Sequence, residues 1–275
     1  MADRSAKSRI ESFPLAAALA AAVFASASAY PSYAAREPAK AAGARLRVDG
    51  RVALASLMSL SDGRLQRVAD SLKTLAGADE ARSADWEKIK GPLAELQKRS
   101  IPLVAWFALP DGTYWTVDKG LIAQKLSDRP YFPRLLAGKR VIGDLVVSKS
   151  TGKCVTIVAV PIVSHGSVVG ALGCSVYLDK LSSLIEKEMA LDKSMIFYSF
   201  NAEPLLALVW DTQLVFLEPM KQPTLKRPFG EMLKKSQGAV KYVYRGRERN
   251  VIFRKSPVTN WWYAFGTVRG GREAQ

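Results

Sequence analysis

One order of secondary-structure elements occurs twice in this chain, and that repetition limits the fold more than any other feature. Over residues 100–190 the sequence predicts a strand, a turn, a strand, a short helix and three further strands. Residues 191–268 repeat this order over a shorter length. Such an internal duplication predicts a bilobed α+β architecture with two similar units, each built on an antiparallel sheet.

A helical segment is expected ahead of the two units, over residues 41–99. From residue 41 to 76 apolar side chains recur at steps of three to five residues, the spacing of an amphipathic helix. A second helix is predicted from about Ser83 to Lys98, with a kink or break at Gly91-Pro92. Residues 269–275, after the last predicted strand, are expected to form a flexible tail.

Residues 1–34 are typical of a secretory signal peptide. A polar start that carries three basic side chains is followed by an alanine-rich apolar run and small residues suited to cleavage. The alternative is an uncleaved membrane anchor, although the run of about 11 apolar residues is well short of the roughly 20 that span a bilayer. The expected location is therefore periplasmic or secreted.

The composition excludes several classes of function. One histidine and two cysteines are too few for a Cys/His zinc framework or a disulfide-built scaffold. The formal net charge is +15, but basic and aromatic residues do not alternate as in nucleic-acid-binding proteins. Acidic residues show no spacing that would pair them for hydrolysis. We therefore expect no enzyme activity, no cofactor, no metal and no nucleic-acid partner.

The two cysteines, Cys154 and Cys174, lie on the two arms of a predicted hairpin. With the turn centred at His165-Gly166, the two side chains are expected on opposite faces of the sheet. A disulfide would then need a one-residue slip or a bulge, so two free thiols are favoured.

An ordered set of motifs runs through the first unit: 127–132 (SDRPYF), 136–139 (LAGK), 147–153 (VSKSTGK), 159–162 (AVPI), 166–173 (GSVVGALG) and 178–181 (LDKL). In this order the motifs resemble double Cache domains, the extracytoplasmic ligand-sensing modules of bacterial chemoreceptors, sensor kinases and cyclic-nucleotide enzymes. The likeness is closest over residues 100–187 and weaker over 190–268. It implies a long helix followed by two stacked PAS-like modules.

The resemblance also implies a ligand pocket in the first module, at positions that match the family's pocket: Tyr114, Trp115, Arg129, Tyr131, Phe132, Ser148, Lys149, Ser150 and Ser175. An arginine can hold a carboxylate through two parallel hydrogen bonds, while aromatic rings enclose the apolar remainder of a small ligand. The site therefore suits a small anion.

One departure from the family bears on the ligand. The amino-acid-binding branch carries Arg-x-Trp-Tyr and, near the end of the hairpin, an aspartate that holds the ammonium group. This chain has Arg129-Pro130-Tyr131-Phe132, and Cys174-Ser175 stands at the place of the aspartate. Lys149 also occupies a position where aspartate is often seen. The missing carboxylate favours an organic acid or another anion over an amino acid.

Some of these side chains have a structural alternative. Arg129 could instead tie the short helix to nearby carbonyls or to Asp128. Tyr131 and Phe132 could be core residues, as could the tryptophans, of which Trp115 is the preferred candidate for the pocket.

The function expected is an exported, non-enzymatic sensor domain for a small anionic, carboxylate metabolite. Its expected partners are that ligand, a separate membrane-bound signalling protein and a second copy of the chain, paired through the N-terminal helix. The alternative is a structural or interaction protein of the cell envelope with a vestigial pocket. Its binding surface would then be the basic residues around Lys226-Arg227 and Lys234-Lys235.

Overall fold

The computed structural model describes residues 49–272. It begins with a long helix, α1 (Gly50–Ala76), followed by α2 (Asp79–Arg82) and α3 (Trp86–Arg99). The carboxylate of Asp49 starts α1 by accepting a hydrogen bond from the N–H of Arg51 at 2.8 Å. Within this range no helix combines the length and the apolar character that a membrane span requires.

The long N-terminal helix is confirmed from residue 50 onward. The first part of its predicted span, residues 41–48, lies outside the described residues, and so does the proposed signal segment, residues 1–34.

Of the kink or break predicted at Gly91-Pro92, the break does not occur. α3 continues through Pro92 as one helix of 14 residues. Proline removes only one N–H from the ladder, while Ile89 and Leu93 are buried on one side of the helix. Asp85 also caps the first turn of α3 and stabilises the helix further. Packing and capping together outweigh the hydrogen bond lost at Pro92.

The first sheet has six antiparallel strands in the order β3-β2-β1-β6-β5-β4. Its strands are β1 (Leu103–Ala108), β2 (Tyr114–Thr116), β3 (Gly120–Ile122), β4 (Val141–Val147), β5 (Cys154–Ser164) and β6 (Ser167–Tyr177). A short helix, α4 (Phe132–Leu136), precedes β4, and α5 (Leu178–Met189) follows β6.

The short helix α4 begins only at Phe132, after the SDRPY segment of residues 127–131. Residues 126–131 form successive turns, and Pro133 instead takes the first helical turn. The N–H of Arg129 donates to the carbonyl of Leu126 at 2.9 Å within these turns. As a result Arg129 lies on a loop ahead of α4 and not on the helix.

The second sheet has five antiparallel strands in the order β8-β7-β11-β10-β9. Its strands are β7 (Met195–Phe200), β8 (Leu206–Val209), β9 (Gln237–Tyr244), β10 (Arg247–Lys255) and β11 (Trp262–Val268). Two 3₁₀ turns (Thr212–Leu214 and Pro219–Lys221) and a helix, α6 (Pro223–Leu233), connect β8 to β9. Without β3, the first sheet has the same order of strands, so the α+β fold with two PAS-like modules is confirmed.

Each sheet has one face against α1 and one face covered by its own helix. α1 lies against β4, β5 and β6 of the first sheet and against β10 and β11 of the second. Leu57, Leu65 and Leu72 of α1 are fully buried there. The other face, which we call the ligand face, is covered by α4 in the first module and by α6 in the second.

A half-buried carboxylate on α1 joins the helix to the second module. Asp62 accepts hydrogen bonds from the hydroxyls of Tyr263 and Ser256, each at 2.7 Å. Burial raises the pKa of Asp62, and its hydrogen bonds act in the opposite direction. The same β10–β11 turn contacts the first sheet, since the indole N–H of Trp261 donates to the carbonyl of Gly143 at 2.8 Å.

Close approach at this contact requires a glycine in β4. Gly143 has a φ of +97°, and a Cβ atom there would lie 2.9 Å from the carbonyl oxygen of Thr259. Both the conformation and the space exclude a larger residue. The two modules are thus held together at α1 and at this turn.

The hairpin between β5 and β6 does not place its cysteines as predicted. An irregularity at Ile162/Val163 shifts the register, so that Cys174 lies opposite Val158. Cys154 and Cys174 consequently share the face that packs against the helices, and the expectation of opposite faces is wrong. Both thiols are free, as favoured from the sequence, and burial raises the pKa of Cys174.

We predict that Asp62→Ala lowers the free energy of unfolding by about 1–3 kcal/mol, because two buried hydroxyls lose their acceptor. Asp70→Ala is the matched control on the same helix. Asp70 is exposed and accepts a side-chain hydrogen bond from Gln66, so its loss should change stability by less than about 0.5 kcal/mol. Urea unfolding of both variants checks this, and equal losses would contradict the role given to Asp62.

Candidate functional site

The candidate site lies on the ligand face of the first module, where three segments bring polar groups to the edge of a buried cluster. Tyr114 comes from β2, Arg129 and Tyr131 come from the turns before α4, and Ser148 and Ser150 come from the β4–β5 loop. Five of the predicted residues therefore converge here.

Arg129 has one satisfied nitrogen and one that lacks a partner. Its Nη2 donates to the carbonyl of Val147 at 2.7 Å, so the expected tie to a neighbouring carbonyl exists. Its Nε is buried and has no hydrogen-bond partner. An unsatisfied buried donor on a cation is costly, and an anionic acceptor would relieve that cost.

Two tyrosines lie within electrostatic range of this guanidinium. Burial raises the pKa of Tyr114 and of Tyr131, while the positive charge of Arg129 acts in the opposite direction on both. Tyr131 is only 2% exposed, and the hydroxyl of Tyr114 is hydrogen-bonded to the side chain of Ser150. Both phenols are therefore neutral at physiological pH and keep an O–H group to donate.

The β4–β5 loop presents its serines in a fixed arrangement. The N–H of Gly152 donates to the carbonyl of Ser148 at 2.8 Å, and the N–H of Ser148 donates to the carbonyl of Lys153 at 2.8 Å. The hydroxyls of Ser148 and Ser150 lie 3.2 Å apart. These bonds hold two small hydroxyl groups beside Tyr114.

The charges at the rim of the site are already paired. The Nζ of Lys149 contacts both carboxylate oxygens of Asp128, at 2.6 and 2.7 Å, and the Lys149 side chain is 17% exposed. Hydrogen bonding by Lys149 lowers the pKa of Asp128. Asp144 forms an ion pair with Arg134. Burial raises the pKa of Asp144, and Arg134 acts in the opposite direction. Lys149 is thus a rim residue, and neither carboxylate is free to hold an ammonium group.

Trp106 is buried in the hydrophobic cluster on this face, which agrees with the expectation that the tryptophans are core residues. Trp106 lies on the ligand face of β1 and covers Gly173 of β6, where an added Cβ would meet the indole ring at 2.1 Å. Strand alternation would have predicted the face on which Trp106 lies. Ala108 is opposite Tyr114, and Trp106 is two residues from Ala108, so all three share one face.

Trp115 does not belong to the site, and that prediction is wrong. Its ring stacks on Phe107 at 5.7 Å and on Trp86 at 6.3 Å between ring centroids, on the side of the helices. Adjacent residues in a strand point to opposite faces, so Tyr114 and Trp115 cannot both line the pocket.

Two further predicted residues lie on the ligand face away from the polar edge. Phe132 is buried in the cluster beneath Tyr131, which agrees with the alternative of core packing. Ser175 is buried on β6, opposite Val104 and Ile157. Within residues 49–272 no three His, Cys, Asp or Glu side chains are grouped as a metal site would require.

The chain matches known proteins in structure but not in sequence. No protein-family model matches the chain, and no curated protein is similar to it in sequence. The extracellular domain of the histidine kinase rpHK1S-Z16 matches with a TM-score of 0.66 and 15% identity, over 79% of this chain and 92% of that chain. The fold is that of double Cache sensor domains.

Two chemoreceptor domains are similar to the chain in structure over the same share of its length. The ligand-binding domain of PctB from Pseudomonas aeruginosa PAO1, in complex with L-Arg, has a TM-score of 0.61 and 16% identity, over 80% of this chain and 92% of that chain. The ligand-binding domain of CtaA from Pseudomonas fluorescens, in complex with L-isoleucine, has a TM-score of 0.59 and 15% identity, over 80% and 90%. At 15–16% identity, these three matches show the shared fold.

We predict opposite effects for one substitution at two glycines. Gly173→Ala forces its methyl group into the Trp106 ring and should destabilise the protein by about 1–3 kcal/mol. Gly230→Ala is the control, since nothing lies near its added Cβ in α6, and it should stabilise by about 0.5–1 kcal/mol. Urea unfolding measures both, and a neutral Gly173→Ala would contradict the placement of Trp106.

Proposed function

We propose that this chain is an exported sensor domain whose first module binds a small carboxylate-bearing metabolite and passes the signal to a separate membrane partner. The observation that supports this most directly is the buried, unpartnered Nε of Arg129 on the ligand face. A guanidinium group in that state attracts a carboxylate oxygen, because a charge-assisted hydrogen bond there replaces an unmet donor.

The neighbouring groups suit the same ligand. The hydroxyls of Tyr114, Tyr131 and Ser150 are neutral donors beside the cation, and the tyrosine rings offer apolar surface for the rest of a small molecule. One strong cationic contact supported by neutral donors is a common way to orient an anionic metabolite.

The rim charges favour an acid without an amino group. PctB and CtaA hold amino acids, whereas Asp128 of this chain is occupied by Lys149 and Asp144 is occupied by Arg134. An ammonium group would have to displace one of these lysine or arginine side chains. We therefore assign the ligand to the simple carboxylates.

The remaining parts of the chain have roles in this function. Residues 1–34 direct export to the periplasm or beyond, or alternatively anchor the chain. Residues 49–99 form the helical lead-in, 100–190 the sensing module and 191–268 the second module. The expected flexible tail does not begin at residue 269, because the Arg272 guanidinium is bonded to Glu186 and to the carbonyl of Met195. Ligand binding would shift the relation between the modules, or between two copies paired through the N-terminal helix.

We expect butyrate, pyruvate or succinate to raise the unfolding temperature of the purified chain by about 5–10 °C at a hundredfold excess over Kd. Arg129→Met should weaken this binding about ten- to a hundredfold, because it removes a charged donor. Arg140→Met, an exposed arginine after α4, is the matched control and should bind like the wild type.

If no carboxylate stabilises the wild type, or if Arg129→Met is stabilised equally, the carboxylate site does not exist. Salt-sensitive binding of an envelope polymer that requires Lys234 and Lys235 would then support the structural alternative.

A second substitution tests the choice between acids and amino acids. Lys149→Gln releases the carboxylate of Asp128, so the affinity for 4-aminobutyrate relative to butyrate should rise about tenfold. Lys153→Gln, on the same loop and exposed, should leave the ratio unchanged. Calorimetric titration with both ligands checks this, and an unchanged ratio in Lys149→Gln would mean that Asp128 does not face the ligand.

A further inference from the structure

The second module contains a buried arginine on its own ligand face. Arg249 is only 6% exposed and lies on β10 with Val251 and Phe253, on the side covered by α6. It pairs with Tyr242 of β9, so the two side chains share that face. Nothing in the function proposed for the first module uses this residue.

No carboxylate within residues 49–272 forms an ion pair with Arg249, and its Nε is buried without a hydrogen-bond partner. The Arg249 side chain is hydrogen-bonded to Tyr242, and it lies close to two further aromatic rings. The guanidinium carbon lies 4.8 Å from the ring centroid of Tyr244 and 6.0 Å from that of Trp210. Cation–π contacts offset part of the cost of burying a charge, but they give the Nε–H no acceptor.

A small cavity adjoins this guanidinium. It is lined by Arg249, Tyr198, Tyr242, Tyr244, Trp210 and Phe229, among other side chains, and its volume is about 20 Å³. The hydroxyl of Tyr242 donates to that of Tyr198 at 3.1 Å. Burial raises the pKa of both phenols, so the lining combines one cation with neutral hydroxyl groups and no negative charge.

We propose that the second module holds an anion site of its own, centred on Arg249 and separate from the Arg129 site. The ligand is a small monoanion, such as chloride, formate or acetate, that accepts a hydrogen bond from the Nε–H. The cavity volume favours the smallest anions, because it holds little more than one water-sized group; chloride and formate should therefore bind more readily than acetate. Larger acids would have to displace Leu214 and Leu217, which cover the cavity.

The site also has a structural reason to matter. A bound anion would neutralise the buried charge of Arg249, which lies between β10 and residues 212–221. It would thereby stabilise the packing of that segment on the sheet. Binding to the folded state alone stabilises that state by mass action. The second module would therefore respond to small anions even when the first module is empty.

The experiment is a titration of the full chain, labelled with ¹⁵N-arginine, in a buffer whose only anion is gluconate. Chloride, formate and acetate are added separately while the arginine Nε–H signals are recorded. The Arg249 signal is assigned by its loss in Arg249→Lys, and it should shift saturably with at least one anion. Arg254→Lys, at an exposed arginine of the same strand, is the control.

Thermal unfolding in an Arg129→Met background separates the two sites. There, the anion that shifts the signal should still stabilise the protein, and adding Arg249→Met should weaken that binding about ten- to a hundredfold. An Arg249 signal that none of the three anions moves would overturn the inference, whether or not the substituted chain folds. So would stabilisation that persists without Arg249. If the carboxylate site at Arg129 does not exist, the Arg249 signal should still shift when the anion is added.

Discussion

Both sheets of this protein are built against one helix, and that constraint determines where a ligand can bind. α1 covers one face of each sheet with leucines, and Asp62 joins it to the turn between β10 and β11. Because successive side chains of a strand alternate between faces, the residues that pack on α1 are unavailable to the opposite side. The faces beneath α4 and α6 are therefore the ones that can carry specificity.

Each of these faces carries an arginine whose Nε is buried and has no partner. Arg129 in the first module and Arg249 in the second differ in position, since one lies on a loop and the other on a strand. They agree in chemistry, because each is set among tyrosines with no carboxylate of residues 49–272 bonded to that nitrogen. Proteins rarely leave buried donors unmet, so the same signal in both modules supports anion recognition as their shared property.

Much of this could be predicted from the sequence, because local patterns determine local elements. The repeated order of strands is found in both sheets, and β7 occupies Met195–Phe200, as its apolar run predicts. The predictions failed where contacts between residues far apart in sequence determine the local structure. Buried side chains carry α3 through Pro92, and an irregular hairpin changes the register of Cys174. Trp115 was misplaced although alternation would have excluded it, whereas the unmet Nε of Arg129 depends on three segments that meet only in the folded chain.

A crystal structure of the protein grown with a simple carboxylate, such as butyrate, tests the central claim most directly. The account predicts a carboxylate oxygen within hydrogen-bond distance of the Arg129 Nε, with Lys149 still bonded to Asp128. A structure in which that nitrogen is bonded to a water or a protein group, with the ligand absent or bound elsewhere, would contradict it.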